Sequence, residues 1–126
     1  INQGQMDRWN IISTLNYLDN KDEEKIILSK SKELNNQKGK EIIKNMVNTA
    51  DLSRSGFVNG DISTVMSPRT VITWAQNFIL FNDLEYAFKL SFLNRCDELE
   101  RPIIEEYYQR SFGIDISDAK VANVNE

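Results

Sequence analysis

Four stretches between Gly39 and Phe112 place their apolar residues three and four positions apart, and this helical period limits more than anything else what the chain can fold into. In Gly39 to Leu52, the residues Ile42, Ile43, Met46, Val47 and Ala50 make one apolar helix face. A second helix is predicted from Ser67-Pro68-Arg69 to about Phe81, turning Val71, Ile72, Ala75 and Ile79 inward. Ser67 is a good N-cap and Pro68 suits the first helical position. A third is expected from Asp83 to about Asn94, burying Leu84, Ala87, Phe88 and some of Leu90, Phe92 and Leu93. The fourth runs from about Asp97 to Phe112, with Leu99, Ile103, Ile104, Tyr107 and Tyr108 as its stripe and Pro102 in its first turn or two. Each helix has one stripe to bury, which it can do against the others.

The remaining stretches carry weaker signals. Trp9 to Leu18, WNIISTLNYL, is rich in β-branched and aromatic residues and reads as a strand. No partner strand is evident elsewhere, so it suggests a sheet lying upstream. Lys21 to Ser31 reads as a short charged helix on the surface, with Ile26, Ile27 and Lys30, capped by Asp19 or Asn20. Arg54 to Asp61, with Gly56, Gly60, Asn59 and Asp61, breaks the helical period and reads as a loop. After Gly113 the polar tail has no period and is expected to fray. The fold class is therefore mainly α, one strand followed by a bundle of about five helices.

Composition narrows the chemistry. At 126 residues, 40% hydrophobic and 27% charged, the chain reads as one soluble globular unit. It has no apolar run of the roughly 18 residues a membrane span needs, and INQGQMDRWN does not read as a signal peptide, so the expected compartment is the cytoplasm. The single cysteine, Cys96, reads as a small buried or half-buried thiol, and the absence of histidine disfavours a hydrolase triad or a typical zinc site. With 15 basic and 19 acidic residues, the formal charge of −4 gives no reason to expect broad nucleic-acid binding.

Any activity must then rest on Arg, Lys, Asp, Glu, Ser, Thr or backbone groups. Arg69 lies just inside a predicted helix start, where a cation is mildly disfavoured unless an anion shares the site. The alternative is a solvated arginine paired with a nearby carboxylate, and periodicity does not decide between them. Arg8, in Met6-Asp7-Arg8-Trp9, precedes the predicted strand; its planar fork would suit a phosphate on a neighbouring subunit, or a salt bridge to Asp7. Asp97-Glu98-Leu99-Glu100-Arg101 reads as helix-dipole partners and surface charge rather than a metal site. No G-x-x-x-x-G-K-[ST] occurs, and the Gly56/Gly60 pair lacks the following Lys and Ser/Thr of a phosphate loop.

Three strings, INQGQMDRWNIISTLNYL (1 to 18), MVNTADLSRSGFVNGDISTVMSPRTVITWAQN (46 to 77) and FLNRCDELERPIIEEYYQRSFG (92 to 113), closely resemble the C-terminal part of the CobS-type AAA+ ATPase subunits of aerobic cobalt chelatase. The resemblance implies a helical lid at 19–113, a remnant of the α/β nucleotide domain at 1–18 and a flexible tail at 114–126. It places the Walker A, Walker B and sensor-1 segments upstream of residue 1, which would account for a strand without a partner. It makes Arg69, in the SPR sequence, the sensor-2 residue on ATP phosphate and Arg8 the arginine finger acting in trans, with Arg54 a weaker third candidate. The implied cofactors are ATP and Mg2+ held by the full-length protein, with none bound to these residues alone. The implied partners are copies of the subunit in a ring together with CobT-like and large CobN-like chelatase subunits; no nucleic acid or membrane is implied. The implied work is ATP-driven insertion of cobalt into a corrin ring precursor. A MoxR-type chaperone ATPase would share the same lid and arginines, and a non-catalytic helical interaction module would use them structurally.

Overall fold

The computed structural model of the chain describes residues 10–12 and 18–113. Between Leu18 and Gly113 it forms five α-helices: α1 (Asn20–Lys30), α2 (Gln37–Asn59), α3 (Pro68–Phe81), α4 (Leu84–Ser91) and α5 (Arg101–Phe112). Single 3-10 turns lie at Lys32–Leu34, Leu93–Arg95 and Glu98–Glu100. There is no strand among the described residues. Asn10, Ile11 and Ile12 are helical, with Ile12 buried, which corrects the strand expected there; the rest of that stretch up to Tyr17 lies outside the described residues, as does the tail after Gly113. The physical reason is that a strand with no neighbour leaves its backbone groups unpaired, whereas a helix satisfies them within itself, and β-propensity is too weak to reverse that.

The long helix α2 corrects the loop expected from Arg54 to Asp61, since it continues to Asn59 before Gly60 ends it in the left-handed region at φ 86°. Glycine inside a helix is unfavourable by about 1 kcal/mol relative to alanine. Here Gly56 faces the Tyr107 hydroxyl so closely that a Cβ would collide with it, so the missing side chain is what lets α5 approach. The predicted face is buried as expected at Ile43, Met46, Val47 and Ala50, and Phe57 extends it.

α3 begins where its signals place it: Ser67 Oγ accepts from Thr70 N–H at 3.2 Å, Ser67 N–H donates to the Thr70 hydroxyl at 3.4 Å, and Pro68 fills the first turn. α4 is shorter than expected, because Phe92 leaves helical geometry and a 3-10 turn follows. α5 starts at Arg101 rather than Asp97. Pro102 lacks an N–H and its ring crowds the carbonyl four residues back, so it disrupts a helix begun at Asp97 but is tolerated in the first turn of one begun at Arg101. Leu99 is therefore not part of the apolar stripe and stands 87% exposed.

The core lies where α3, α4 and α5 meet. Trp74 of α3 is fully buried, donates its indole N–H to Leu84 O at 3.2 Å, and sits 4.7 Å from Phe88 and 5.8 Å from Tyr108. Phe88 and Tyr108 stack at 4.7 Å. α2 packs on α5 at one side and on α1 at the other, and α1 also contacts α3.

Candidate functional site

The site is the connection between α2 and α3, together with the α3 start it delivers. Gly60 N–H and Asp61 N–H bond the last carbonyls of α2, and Ile62 is buried, so the chain turns tightly off the helix. Ser63 is held by Glu100, which accepts from its N–H at 2.8 Å and its hydroxyl at 3.0 Å. Met66 is fully buried and both its backbone groups are tied to α2: its N–H donates to Ser53 Oγ at 3.2 Å and its carbonyl accepts from Arg54 Nε at 3.0 Å. Ser67 and the capping box follow at once, and Arg69 is the second residue of α3.

Arg69 is exposed, and among the described residues it has no hydrogen-bond or ion-pair partner. No carboxylate among the described residues makes the pairing that sequence alone left open. Pro68 has no N–H, and the Thr70 and Val71 N–H groups are taken by Ser67, so the Arg69 N–H is the first-turn donor left beside the guanidinium; with the positive end of the helix dipole, the two are chemically suited to an anion such as a phosphate oxygen.

Arg54 is placed quite differently, and this corrects its standing as a nucleotide-binding candidate. It is 4% exposed, with Nη2 on Glu23 Oε2 at 2.7 Å, Nη1 on Glu23 Oε1 at 2.9 Å and on Asp51 Oδ1 at 3.1 Å, besides the bond to Met66. Such a guanidinium is committed to the protein interior and offers nothing to a nucleotide. Glu23 itself is fully buried, so α1 is not the purely surface helix its charge suggested. Sequence reasoning missed this pair although its signal was present. Glu23 is four residues before Ile27, and Arg54 is four after Ala50 and three before Phe57, which puts both charges on buried faces. Asp19, for its part, makes no side-chain cap on α1.

Arg8 lies outside the described residues. The acidic run near α5 is structural in its geometry: Asp97 accepts from Leu99 N–H at 2.9 Å and Glu100 holds Ser63. Among the described residues no group of three or more His, Cys, Asp or Glu side chains is arranged to hold a metal ion, and no helix is long and apolar enough to cross a membrane. Cys96 is buried, its thiol donating to Phe92 O at 3.3 Å; desolvation, with Glu100 adding to it, pushes its pKa up to about 11. That suppresses the thiolate and with it nucleophilic chemistry.

Among the described residues, these features define a helical bundle that presents an exposed guanidinium, that of Arg69, at a firmly anchored helix start. The chain is similar to the aerobic cobaltochelatase subunit CobS of Sinorhizobium sp, with 54% identity over 124 residues. That likeness takes in 98% of this chain, while the chain spans 37% of the relative's length. No protein-family profile matches the chain, and no solved structure does.

Proposed function

We propose that this chain is the helical lid portion of an ATPase subunit of the cobaltochelatase class, acting in cobalt insertion for cobalamin biosynthesis. The observation that carries the reading is Arg69, exposed and unpartnered among the described residues on the first turn of a capped helix, in a chain 54% identical to a cobaltochelatase subunit. In this reading, Arg69 touches ATP phosphate oxygens and couples their loss to a rigid-body movement of the lid. Arg8 reaches the γ-phosphate bound by the next subunit of a ring, where it neutralises charge developing in the transition state. The phosphate loop and the Mg2+ ligands belong to segments outside these 126 residues. The metal-inserting partners are further chelatase subunits, and the compartment is the cytoplasm.

The test is steady-state ATPase activity of the full-length protein, wild type against Arg69→Ala and Arg8→Ala. Both single variants are expected to lose activity, and mixing Arg8→Ala with a phosphate-loop variant is expected to restore part of it. Normal hydrolysis by both variants would remove the site assignment. The 126-residue chain on its own is expected not to turn over ATP, and turnover by it would overturn the division of labour between lid and nucleotide domain.

A further inference from the structure

We infer that Arg54 and Glu23 are positioning residues for Arg69: a buried ion pair that fixes the backbone immediately before the helix start carrying that guanidinium. The inference rests on the reading of Arg69 given above. Arg54 alone joins three parts of the fold. Its two Nη atoms hold Glu23 of α1 in a two-point contact at 2.9 and 2.7 Å, Nη1 also reaches Asp51 of α2 itself, and Nε holds the Met66 carbonyl at 3.0 Å. Its sequence neighbour Ser53 takes the Met66 N–H at 3.2 Å and donates onward to Ala50 O at 2.7 Å. Both polar groups of one peptide residue are thereby fixed by two consecutive residues of α2. Met66 is followed directly by the N-cap Ser67, and Arg69 stands two residues further on. With Met66 held, Ser67 capped and Ser63 held by Glu100, the Arg69 backbone has little freedom relative to α2.

The chemistry supports a positioning role over a merely stabilising one. A buried ion pair is commonly no more stabilising than well-packed apolar residues of similar size, because desolvating two charges offsets their attraction. Bidentate guanidinium geometry, by contrast, fixes direction as well as distance. Through Glu23 the clamp also links α1 to the α3 start, so that a displacement of α1 would be transmitted to Arg69.

The experiment uses the full-length protein and compares wild type, Arg69→Ala, the double variant Glu23→Met/Arg54→Met, and the combination of all three substitutions. The readouts are kcat/KM for ATP and the thermal midpoint. Replacing both charges by apolar residues removes the clamp without leaving an unpaired buried ion, so the fold is expected to persist. The double variant is expected to lose roughly ten- to hundredfold in kcat/KM, the scale of a small misplacement of an active group. In the Arg69→Ala background the same two substitutions are expected to change kcat/KM by less than about twofold, since residues acting through one another are not additive. Should the double variant fold poorly, Arg54→Lys carries the same test, because lysine keeps the charge opposite Glu23 but lacks the fork that also reaches Met66. Wild-type turnover by a folded clamp variant, while Arg69→Ala is impaired, would overturn the positioning role and leave the Arg69 reading intact. Losses that multiply in the combination would do the same. No loss in Arg69→Ala itself would overturn both.

Discussion

At the scale of single residues, the buried Arg54–Glu23 pair and the buried Cys96 thiol make opposite use of desolvation. The pair tolerates burial because each charge satisfies the other, with Asp51 and the Met66 carbonyl taking further donors of the guanidinium. Removing one partner alone is therefore far worse than removing both. Glu23→Ala is expected to destabilise the fold by about 3–5 kcal/mol in chemical denaturation, while Glu23→Met/Arg54→Met is expected to lie near wild type. Comparable losses in the two would mean that the pair, rather than the orphaned charge, is what matters. At Cys96 desolvation, with Glu100 adding to it, outweighs the opposing pull of Arg95 and Arg101, and the thiol stays neutral, its pKa raised from 9.0 to about 11. An unfolded thiol ionises first, so between about pH 9 and 11 the unfolded state binds fewer protons and stability must fall as pH rises. Two pKa units set the ceiling at roughly 2–3 kcal/mol. Tyr107, also pushed up by burial and by Asp61, contributes in the same direction. Urea titrations at pH 8 and pH 11 should thus show a larger alkaline loss in wild type than in Cys96→Ala, and equal losses would remove the thiol from the account.

At the scale of elements, two glycines of α2 illustrate how packing overrides propensity. A Cβ at Gly39 would run into the backbone of Leu34, in the 3-10 turn that reverses the chain, and backbone cannot swing aside. A Cβ at Gly56 would meet the outer end of Tyr107, which can shift. Gly39→Ala is accordingly expected to lower stability by about 3 kcal/mol and Gly56→Ala by about 1 kcal/mol, within the range for overpacked sites; the reverse order in thermal midpoints would contradict this packing. The same contrast explains how much of the fold was legible in the sequence. The α3 limits were readable because Ser67, Thr70 and Pro68 act locally, through bonds between residues three apart. The end of α2 was not, since Gly56 and Asn59 look like loop residues until Tyr107 is brought against Gly56 from 51 positions away. Leu99 was misplaced because the periodic count ran through Pro102 and the 3-10 turn before it. At the candidate site, Arg69 could be named from its helix start. The spacing of Arg54 from Ala50 and Phe57 hinted at its burial, but its partner was not legible, because only the fold brings Glu23, 31 residues away, to its guanidinium.

At the scale of the whole molecule, the question is whether the five helices melt as one. α3, α4 and α5 share the cluster of Trp74, Phe88, Tyr108 and Phe112, whose rings lie 4.7 to 6.0 Å apart in the contacts made by Trp74. α1 and α2 are bound to each other by Glu23 and Arg54, and to the rest by Met66 and by the packing of α2 on α5. Among the described residues, parting any of these helix pairs exposes buried apolar surface, which favours all-or-none unfolding in a domain of this size. Trp74 reports on the aromatic side of this arrangement, and Trp9→Phe makes it the sole tryptophan. In that variant, Trp74 fluorescence and far-ultraviolet circular dichroism are expected to give one midpoint in urea. α1 and α2 hold much of the helix but no tryptophan in this variant. A dichroism transition preceding the fluorescence change would therefore mean that this pair melts first. The clamp on Met66 would then be too weak to hold Arg69 against thermal motion, and the coupling from α1 to the α3 start would be lost with it.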